Sequence, residues 1–349
     1  MRRFQLLVGL ALLATIALTC ACIDLLSRSP RVQEFTERGE LARFKGGVGQ
    51  FMNAGGFIEF EDRVLLDEIP NANFSRGGIF FFGTSTMKWG LKTWELAPAE
   101  RELVHNFAIG ASNHRLVGQF IRYLVEYQGL LQAGGNNVDV VLGCFWSMGK
   151  EWGDGYFSKL WGRYNLFQFD DRYGIRPADV GTVKHAWRME QARLAGFVSQ
   201  NAWRAARYVA SSAGMRMQVD RGREIGEAEI RRRAIESATI PNWEKELKTQ
   251  LEELRATIRY LQERGVTVTI ALLPTRTDYD ALPLPREYNA GLRAVATESR
   301  VQFVDLSRLL RDDEFVDTNH AGYAGLGKLH GALMSLVRPH LDRLLKSER

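Results

Sequence analysis

Cysteine is scarce in this chain, and its placement excludes a cysteine framework. The 349 residues contain three cysteines: Cys20 and Cys22 lie in an apolar amino-terminal run, and Cys144 lies far along the chain. A disulfide-stapled fold or a zinc site of paired cysteines needs more cysteines at closer spacings. Cys144 is interpreted as a small buried hydrophobe at the end of a strand, with a nucleophilic role as the alternative.

A strong excess of charge of one sign is also absent. Lys and Arg number 46 against 41 Asp and Glu, which gives a net charge of +5 and a pI near 9.1. This excess is too small to indicate a nucleic-acid partner, although it allows a weak preference for anionic surfaces or substrates. With 45% hydrophobic and 25% charged residues, the composition is that of a globular protein with ample core material.

Three common cofactor motifs are missing from the sequence. It contains no Gly-x-x-x-x-Gly-Lys-Ser/Thr loop, no Gly-x-Gly-x-x-Gly after the first predicted strand, and no His-Glu-x-x-His. We therefore expect no nucleotide chemistry, no metal and no cofactor. A metal site made from Asp317, His320 and a further histidine is the alternative. The other histidines are interpreted as core or surface residues: His105, His114, His185, His330 and His340.

The longest apolar run lies at the amino terminus. Residues Gln5 to Ile23 carry no charged side chain and follow Arg2-Arg3. A helix of that length crosses the hydrocarbon core of a bilayer at ~1.5 Å per residue. The arginines favour a cytoplasmic tip. Residues 1–26 are therefore predicted to be an uncleaved anchor that holds the rest of the chain outside the cytoplasm. A cleaved signal peptide, or a lipoprotein site at Cys22, is the alternative.

Alternating apolar and helical patterns after this anchor predict a parallel sheet. Residues 27–77 are interpreted as a linker and docking segment, and residues 78–349 as one domain. Five apolar segments predict strands at 78–83, 103–109, 138–143, 266–273 and 301–306. Helical patterns lie at 114–128, 243–261, 288–300 and 326–337. The expected fold is a three-layer α/β domain with about five parallel strands in flavodoxin-like order.

The middle of the domain, from about 144 to 240, predicts a helical insertion. No strand of comparable quality occurs there, whereas 179–208 and 222–237 show helical spacing. The segment is rich in aromatic residues, among them Trp146, Trp152, Trp161, Trp187 and Trp203. One interpretation is a cap whose aromatic rings stack on sugars or whose arginines hold an anionic polymer. For Arg231-Arg232-Arg233, the simpler interpretation is a solvated helix face.

Hydroxyl residues follow the first predicted strand directly. The run Gly78-Ile79-Phe80-Phe81-Phe82-Gly83 leads into Thr84-Ser85-Thr86, which places Ser85 at the carboxyl end of a buried strand, where ligands bind in such sheets. A serine there is often only a helix cap. Near the other end of the chain, however, Asp317 and His320 stand three residues apart in a loop. They could orient an imidazole toward a serine.

These segments resemble the SGNH (GDSL-type) hydrolases. Gly83-Thr84-Ser85-Thr86 is similar to their first block, Asn106-Phe107-Ala108-Ile109-Gly110 to their second, and Asp317-Thr318-Asn319-His320 to their last. The resemblance implies a nucleophile at Ser85, a base at His320 and an orienting carboxylate at Asp317. It also implies oxyanion donors at Ser85 and Gly110. Two departures are Thr84 in place of aspartate, and Gly143-Cys144-Phe145-Trp146 where the third block carries an asparagine. Asn113 is the candidate substitute for that donor.

The membrane segment narrows the resemblance to the envelope branch, which includes the D-alanyl-lipoteichoic-acid transfer protein and the alginate O-acetylation proteins. It implies a single-pass protein of a bacterial-type inner membrane and a serine esterase or O-acyltransferase acting on an envelope carbohydrate or polymer. Trp146 and Arg276 are candidate substrate contacts, and a membrane-bound acyltransferase is a candidate partner. The alternative is a catalytically weak module that binds glycan or serves as a scaffold.

Overall fold

The computed structural model describes residues 2–29, 72–151, 167–170, 174–178, 181–196, 202–214 and 226–347, together with single positions at 31, 32, 35, 64 and 69. The expectations for Trp152 and Trp161, and for most of the 27–77 linker, lie outside these residues. The division into anchor, linker and domain therefore stays a prediction.

Seven strands lie in the described residues: β1 (Gly78–Gly83), β2 (Val104–Asn106), β3 (Val138–Cys144), β4 (Phe167–Asp170), β5 (Gly174–Pro177), β6 (Thr267–Leu272) and β7 (Gln302–Asp305). Five of them form one sheet in the order β2-β1-β3-β6-β7, and every neighbouring pair in it is parallel. The predicted flavodoxin-like order is therefore confirmed. The order reverses at β1, so the carboxyl end of β1 is the expected position of a ligand site.

Ten helices accompany these strands in the described residues: α1 (Arg2–Arg28), α2 (Ser85–Gly90), α3 (Pro98–Arg101), α4 (His114–Tyr127), α5 (Val183–Gly196), α6 (Trp203–Ser212), α7 (Glu227–Ala238), α8 (Trp243–Gln262), α9 (Pro283–Ser299) and α10 (Tyr323–Ser347). Helix α9 begins five residues before the predicted start, because Pro283 supplies the fixed φ that suits a first helical turn.

Strand β1 is buried on both faces, and its residues alternate between two hydrophobic cores. Phe80 and Phe82 pack in the core that also contains apolar residues of α4, α8 and α9. Ile79 and Phe81 pack in the opposite core, with residues of α2 and α10. Successive side chains of a strand point to opposite faces, so the continuous apolar run is what a helix-covered parallel sheet requires.

Helix α1 is long and apolar enough to cross a membrane. The candidate span is Val8–Ser27, with a mean hydropathy of 2.2. Its large apolar side chains, such as Leu13 and Leu18, are exposed, whereas burial begins where the helix ends, at Ser27 and Val32. The helix therefore projects from the domain and contacts it at its carboxyl end. Its orientation across a membrane stays a prediction.

The insertion differs from its prediction in two respects. Strands β4 and β5 form an antiparallel hairpin where no strand was expected. Phe167-Gln168-Phe169-Asp170 alternates apolar and polar residues over four positions, which is too short a pattern to stand out beside the buried strands. The helical pattern at 179–208 corresponds to two helices, α5 and α6, and the pattern at 222–237 appears as α7.

Candidate active site

Ser85 occupies the first position of α2, immediately after β1 and its turn. Gly83 has a φ of +153°, and a Cβ there would lie 2.4 Å from the carbonyl oxygen of Gly143. Only glycine, which has no Cβ, therefore lets the chain leave the sheet this close to the backbone of Gly143. Thr84, not Ser85, holds the N-cap position of α2, so the hydroxyl of Ser85 is not used as a helix cap.

The side chains of Ser85, His320 and Asp317 form a continuous chain of hydrogen bonds. The distance from Ser85 Oγ to His320 Nε2 is 2.7 Å. The distance from His320 Nδ1 to Asp317 Oδ2 is 2.6 Å. With its proton on Nδ1, His320 donates to the carboxylate and accepts from the serine. The fold thus brings together three residues that lie at opposite ends of the domain sequence.

The loop that carries Asp317 and His320 is held by its own backbone. Oδ1 of Asp317 accepts from the backbone N–H of Asn319 at 2.8 Å and of His320 at 2.6 Å. The N–H of Val316 donates to the carbonyl oxygen of His320 at 2.9 Å. An aspartate that accepts bonds from the following residues makes a compact turn, which fixes the imidazole relative to the carboxylate.

Asp317 is buried yet favours its charged form. Burial by itself raises the pKa of this carboxyl group, but the charge of His320 and the hydrogen bonds from the His320 ring and from the N–H groups of Asn319 and His320 together lower the pKa below its ordinary value. The carboxylate is therefore ionised near neutral pH and can stabilise a positive charge on His320.

Residues 107–113 run beside the turn that carries Ser85. The N–H of Ile109 and the hydroxyl of Ser112 both donate to the carbonyl oxygen of Gly83, each at 3.0 Å. Gly110 follows Ile109 directly, so its backbone lies beside the chain that leads into Ser85. Sequence reasoning missed Ser112, although it stands between two residues of the predicted site.

Asn113 caps α4 and does not serve as the substitute donor proposed from the sequence. Its Oδ1 accepts from the N–H of Leu116 at 2.9 Å, and its Nδ2 donates to the carbonyl oxygen of Lys150 at 3.1 Å. The side chain is fully buried. An asparagine at a helix start favours this capping geometry, so the prediction of an oxyanion role is corrected to a structural one.

Trp146 is buried, contrary to the expectation that it contacts substrate. Its side chain is 3% exposed and packs against the ring of Tyr279, with the ring centroids 4.8 Å apart. The ammonium of Lys150 lies 4.6 Å from the Trp146 ring centroid. Because its surroundings are protein side chains, Trp146 supports the loops at this edge of the sheet instead of presenting a stacking platform.

Arg276 is likewise a structural residue, not an exposed substrate contact. Its side chain is 1% exposed and forms ion pairs with Asp278, at 2.8 Å, and with Glu227. Its Nη1 donates to the carbonyl oxygen of Asp312 at 3.0 Å. These bonds join the loop after β6 to α7 and to the loop after β7, and they use each guanidinium nitrogen.

The basic run in α7 forms ion pairs on its surface, as the simpler interpretation expected. Arg232 and Arg233 both contact Glu229 at 2.7 Å. Arg231 reaches Asp278 at 3.0 Å and is 64% exposed. The run is therefore neutralised by neighbouring carboxylates.

Three further contacts position the site and were not predicted from the sequence. Asn106 donates from Nδ2 to the carbonyl oxygen of Lys88 in α2, at 2.9 Å. Thr86 Oγ1 lies 3.4 Å from the carbonyl oxygen of Asn319. Burial raises the pKa of Tyr279 to about 12 against hydrogen bonds to Ser237 and Thr318 that lower it. Tyr279 thus connects the loop that carries Asp317 and His320 to α7. None of these contacts has a local sequence signal.

Cys144 has the environment of a structural thiol. It is completely buried at the end of β3, and burial raises its pKa to about 12. A thiol of this kind stays protonated and is a poor nucleophile. Within the described residues, no group of three or more His, Cys, Asp or Glu side chains is arranged to hold a metal ion.

No protein-family model matches the chain, and no curated protein matches it. Among solved structures, a protein from Bacteroides fragilis that is provisionally described as an acylhydrolase gives a TM-score of 0.38 at 11% identity, over 80% of this chain and 94% of that chain. A similarity of this degree carries no argument about activity. The fold and site define an α/β domain of flavodoxin-like order. It holds the hydrogen-bonded side chains of Ser85, His320 and Asp317 at the carboxyl end of β1, where the strand order reverses, and its function is inferred from that geometry.

Proposed function

We propose that this protein is a serine esterase or O-acyltransferase of the SGNH type that works through an ester on Ser85. The observation that carries the proposal is the 2.7 Å contact between Ser85 Oγ and His320 Nε2, continued to Asp317 at 2.6 Å. A hydroxyl is a weak nucleophile until a base accepts its proton, and this geometry supplies the base. General-base assistance of this kind contributes about 100- to 10,000-fold in rate.

In the first half of the proposed reaction, Ser85 Oγ attacks the carbonyl carbon of an ester while His320 Nε2 takes the hydroxyl proton. The tetrahedral intermediate then collapses and the bond to the leaving alcohol breaks. His320 returns the proton to that alcohol, and the acyl group stays on Ser85. Asp317 holds the imidazole by its Nδ1 proton and stabilises the imidazolium formed in between.

In the second half, an acceptor hydroxyl attacks the ester on Ser85. His320 now removes the proton of the acceptor and delivers it to Ser85 Oγ as the acyl bond breaks. Water as acceptor makes the protein an esterase, and a sugar hydroxyl makes it a transferase. The chemistry at the three side chains is the same in both cases.

The proposed oxyanion donors are the backbone N–H groups of Ser85 and Gly110. Ser85 lies at the first position of α2, where N–H groups have no acceptor within the helix. Gly110 follows the residue that bonds to Gly83, which brings its backbone to the same turn. Donors aimed at the developing oxyanion are each worth about 100- to 1,000-fold in rate.

The substrate is proposed to be an ester of an envelope carbohydrate or polymer, with a membrane-bound acyltransferase as a partner. Support comes from α1, which is suited to anchor the domain at a membrane. On this proposal the protein is a single-pass protein of a bacterial-type inner membrane, with the site on its extracytoplasmic side.

A fluorophosphonate probe tests the nucleophile directly. We expect covalent labelling of the full-length wild-type protein and of Ser335→Ala, which removes an exposed hydroxyl from α10. We expect no labelling of Ser85→Ala. Thermal unfolding of all three proteins shows that any loss is not a loss of fold. Folded wild-type protein that stays unlabelled yet retains glycan on a polysaccharide column would instead support the binding or scaffolding module.

A further inference from the structure

A cavity of about 420 Å³ opens between α9 and the loops that follow β6 and β7. Its size falls within the range of small-molecule sites, about 300–1,000 Å³. Strands β6 and β7 run parallel to β1, so the cavity lies at the same edge of the sheet as Ser85. It is a separate space, because none of Ser85, His320 and Asp317 lines it. The polar residues that line it are Thr275, Asp280, Arg286, Asn289, Arg293 and Arg308.

One face of α9 supplies half of these polar side chains. At 3.6 residues per turn, positions 286, 289 and 293 lie within about 60° of one another around the helix axis. Arg308 lines the same cavity from the loop after β7, and Asp280 lines it from the loop after β6. The cavity is therefore surrounded by polar groups from three separate elements of the fold.

The lining carries an excess of positive charge. It contains three guanidinium groups and a single carboxylate, that of Asp280. Arg286 pairs with Glu287 and Arg293 pairs with Asp305, but neither of these two carboxylates belongs to the lining. A concave surface with this charge balance favours an anionic ligand.

Two of the arginines keep hydrogen-bond donors after their ion pairs are formed. Among the described residues, Arg293 donates to Asp305 through Nη2 alone, at 2.5 Å, and Arg308 donates to Asp280 through Nη2 alone. The N–H groups on Nε and Nη1 of both side chains are therefore available to a ligand. Hydrogen bonds from a guanidinium to a carboxylate or phosphate are charge-assisted and among the strong ones in proteins.

Asn289 adds a hydrogen-bond acceptor to these donors. Its Oδ1 is buried and has no hydrogen-bond partner among the described residues. A buried acceptor without a partner is costly, and a hydroxyl group of a ligand would satisfy it. We propose that the cavity binds a small anion in which a hydroxyl group accompanies a carboxylate or phosphate. Arg293 and Arg308 hold the anionic group, and Asn289 accepts from the hydroxyl. This inference does not depend on the chemistry at Ser85.

The test uses the full-length protein in detergent micelles at low ionic strength, with three small probes. Glycerol 3-phosphate carries a phosphate beside its hydroxyl groups, glycerate carries a carboxylate, and glycerol carries no charge. Titration calorimetry measures binding. Thermal unfolding gives a second readout, because a ligand of the folded state raises the unfolding temperature. The variants are Arg293→Gln, Arg308→Gln and Asn289→Ala. Arg255→Gln in α8 is the matched control, since Arg255 pairs with Glu298 and does not line the cavity.

We expect at least one of the two anions to bind the wild type and raise its unfolding temperature, and glycerol to do neither. The anion that binds more tightly identifies the anionic group. Arg293→Gln and Arg308→Gln should each weaken its binding by about tenfold or more, and Asn289→Ala should weaken it by a smaller factor. Arg255→Gln should bind it as the wild type does. The inference is overturned if neither anion binds, if glycerol binds as tightly, or if Arg255→Gln weakens binding as much as the two cavity arginine variants.

Discussion

Two polar clusters at the carboxyl edge of the same sheet have opposite roles. In one, the half-buried Ser85 follows β1, and its hydroxyl is hydrogen-bonded to His320. In the other, Arg276 follows β6 and is bound on all sides by Asp278, Glu227 and a backbone carbonyl. Both clusters were predicted to touch substrate, but Ser85 is half-buried, whereas Arg276 is 1% exposed.

The difference shows what turns a polar group at a strand end into a candidate catalyst. Each nitrogen of the Arg276 guanidinium donates to a partner within the protein, so its contribution is to hold loops together. The bond between Ser85 and His320 is one that a reaction can use, because the proton it contains can move to the imidazole. Changes in the two clusters should therefore separate activity from stability.

The largest separation is expected for Asp317→Asn. An amide at this position can donate to Nδ1 of His320 and so favours the wrong tautomer, which should lower kcat for a small chromogenic acetyl ester by about 1,000- to 10,000-fold. Asp313→Asn is the matched control, since that carboxylate is exposed and pairs with Arg311. Its kcat should be that of the wild type. An Asp317→Asn rate within tenfold of wild type would show that the carboxylate does not act through His320.

The converse, a loss of stability instead of a loss of kcat, is expected for Arg276→Met. Asp278, which is 6% exposed, would keep only its contact with the exposed Arg231, and breaking a buried ion pair costs about 3–5 kcal/mol of unfolding free energy. Arg286→Met is the control, because Arg286 is 64% exposed and pairs with its neighbour Glu287; its cost should be about 0–1 kcal/mol. Chemical denaturation gives both values. A large fall in kcat/KM at unchanged stability would return Arg276 to the substrate site.

The smallest effect is expected at Asn113. Asn113→Ala removes the cap of α4 and should cost about 0.5–2 kcal/mol of stability, part of which Asn113→Ser recovers because serine also caps. In both variants kcat should stay within about tenfold of the wild type. Loss of an oxyanion donor would instead lower kcat by about 100- to 1,000-fold in both, whatever the stability. Turnover measured beside thermal unfolding distinguishes the two results.

The fold could be predicted because its signals are local. Continuous apolar runs marked the strands of the central sheet, and 3.6-residue stripes marked α4, α8 and α10. Strand β2 ends earlier than predicted, although the N–H groups of Phe107 and Ile109 still donate to the carbonyl oxygens of Phe81 and Gly83 beyond it. The hairpin β4–β5 was missed because its strands are short and half polar.

The site was predicted in part, for a related reason. Ser85, Asp317 and His320 stand in short motifs whose spacing carries information. The partners of Arg276 and Asn113 do not stand in a shared motif with them. Glu227 lies 49 residues before Arg276, and Lys150 lies 37 residues after Asn113. Burial of Trp146 depends on Tyr279, which comes from another loop. Long-range pairing of this kind cannot be inferred from a single sequence.

The most direct test is to locate the acyl group itself. The full-length protein is mixed with an activated acetyl ester, quenched in acid within the first turnover, and analysed by intact mass and peptide mapping. The account predicts one added acetyl group on the peptide that contains Ser85, and none in Ser85→Ala. Turnover of the ester with the acetyl group on another residue, or with equal rates in the wild type and Ser85→Ala, would contradict it.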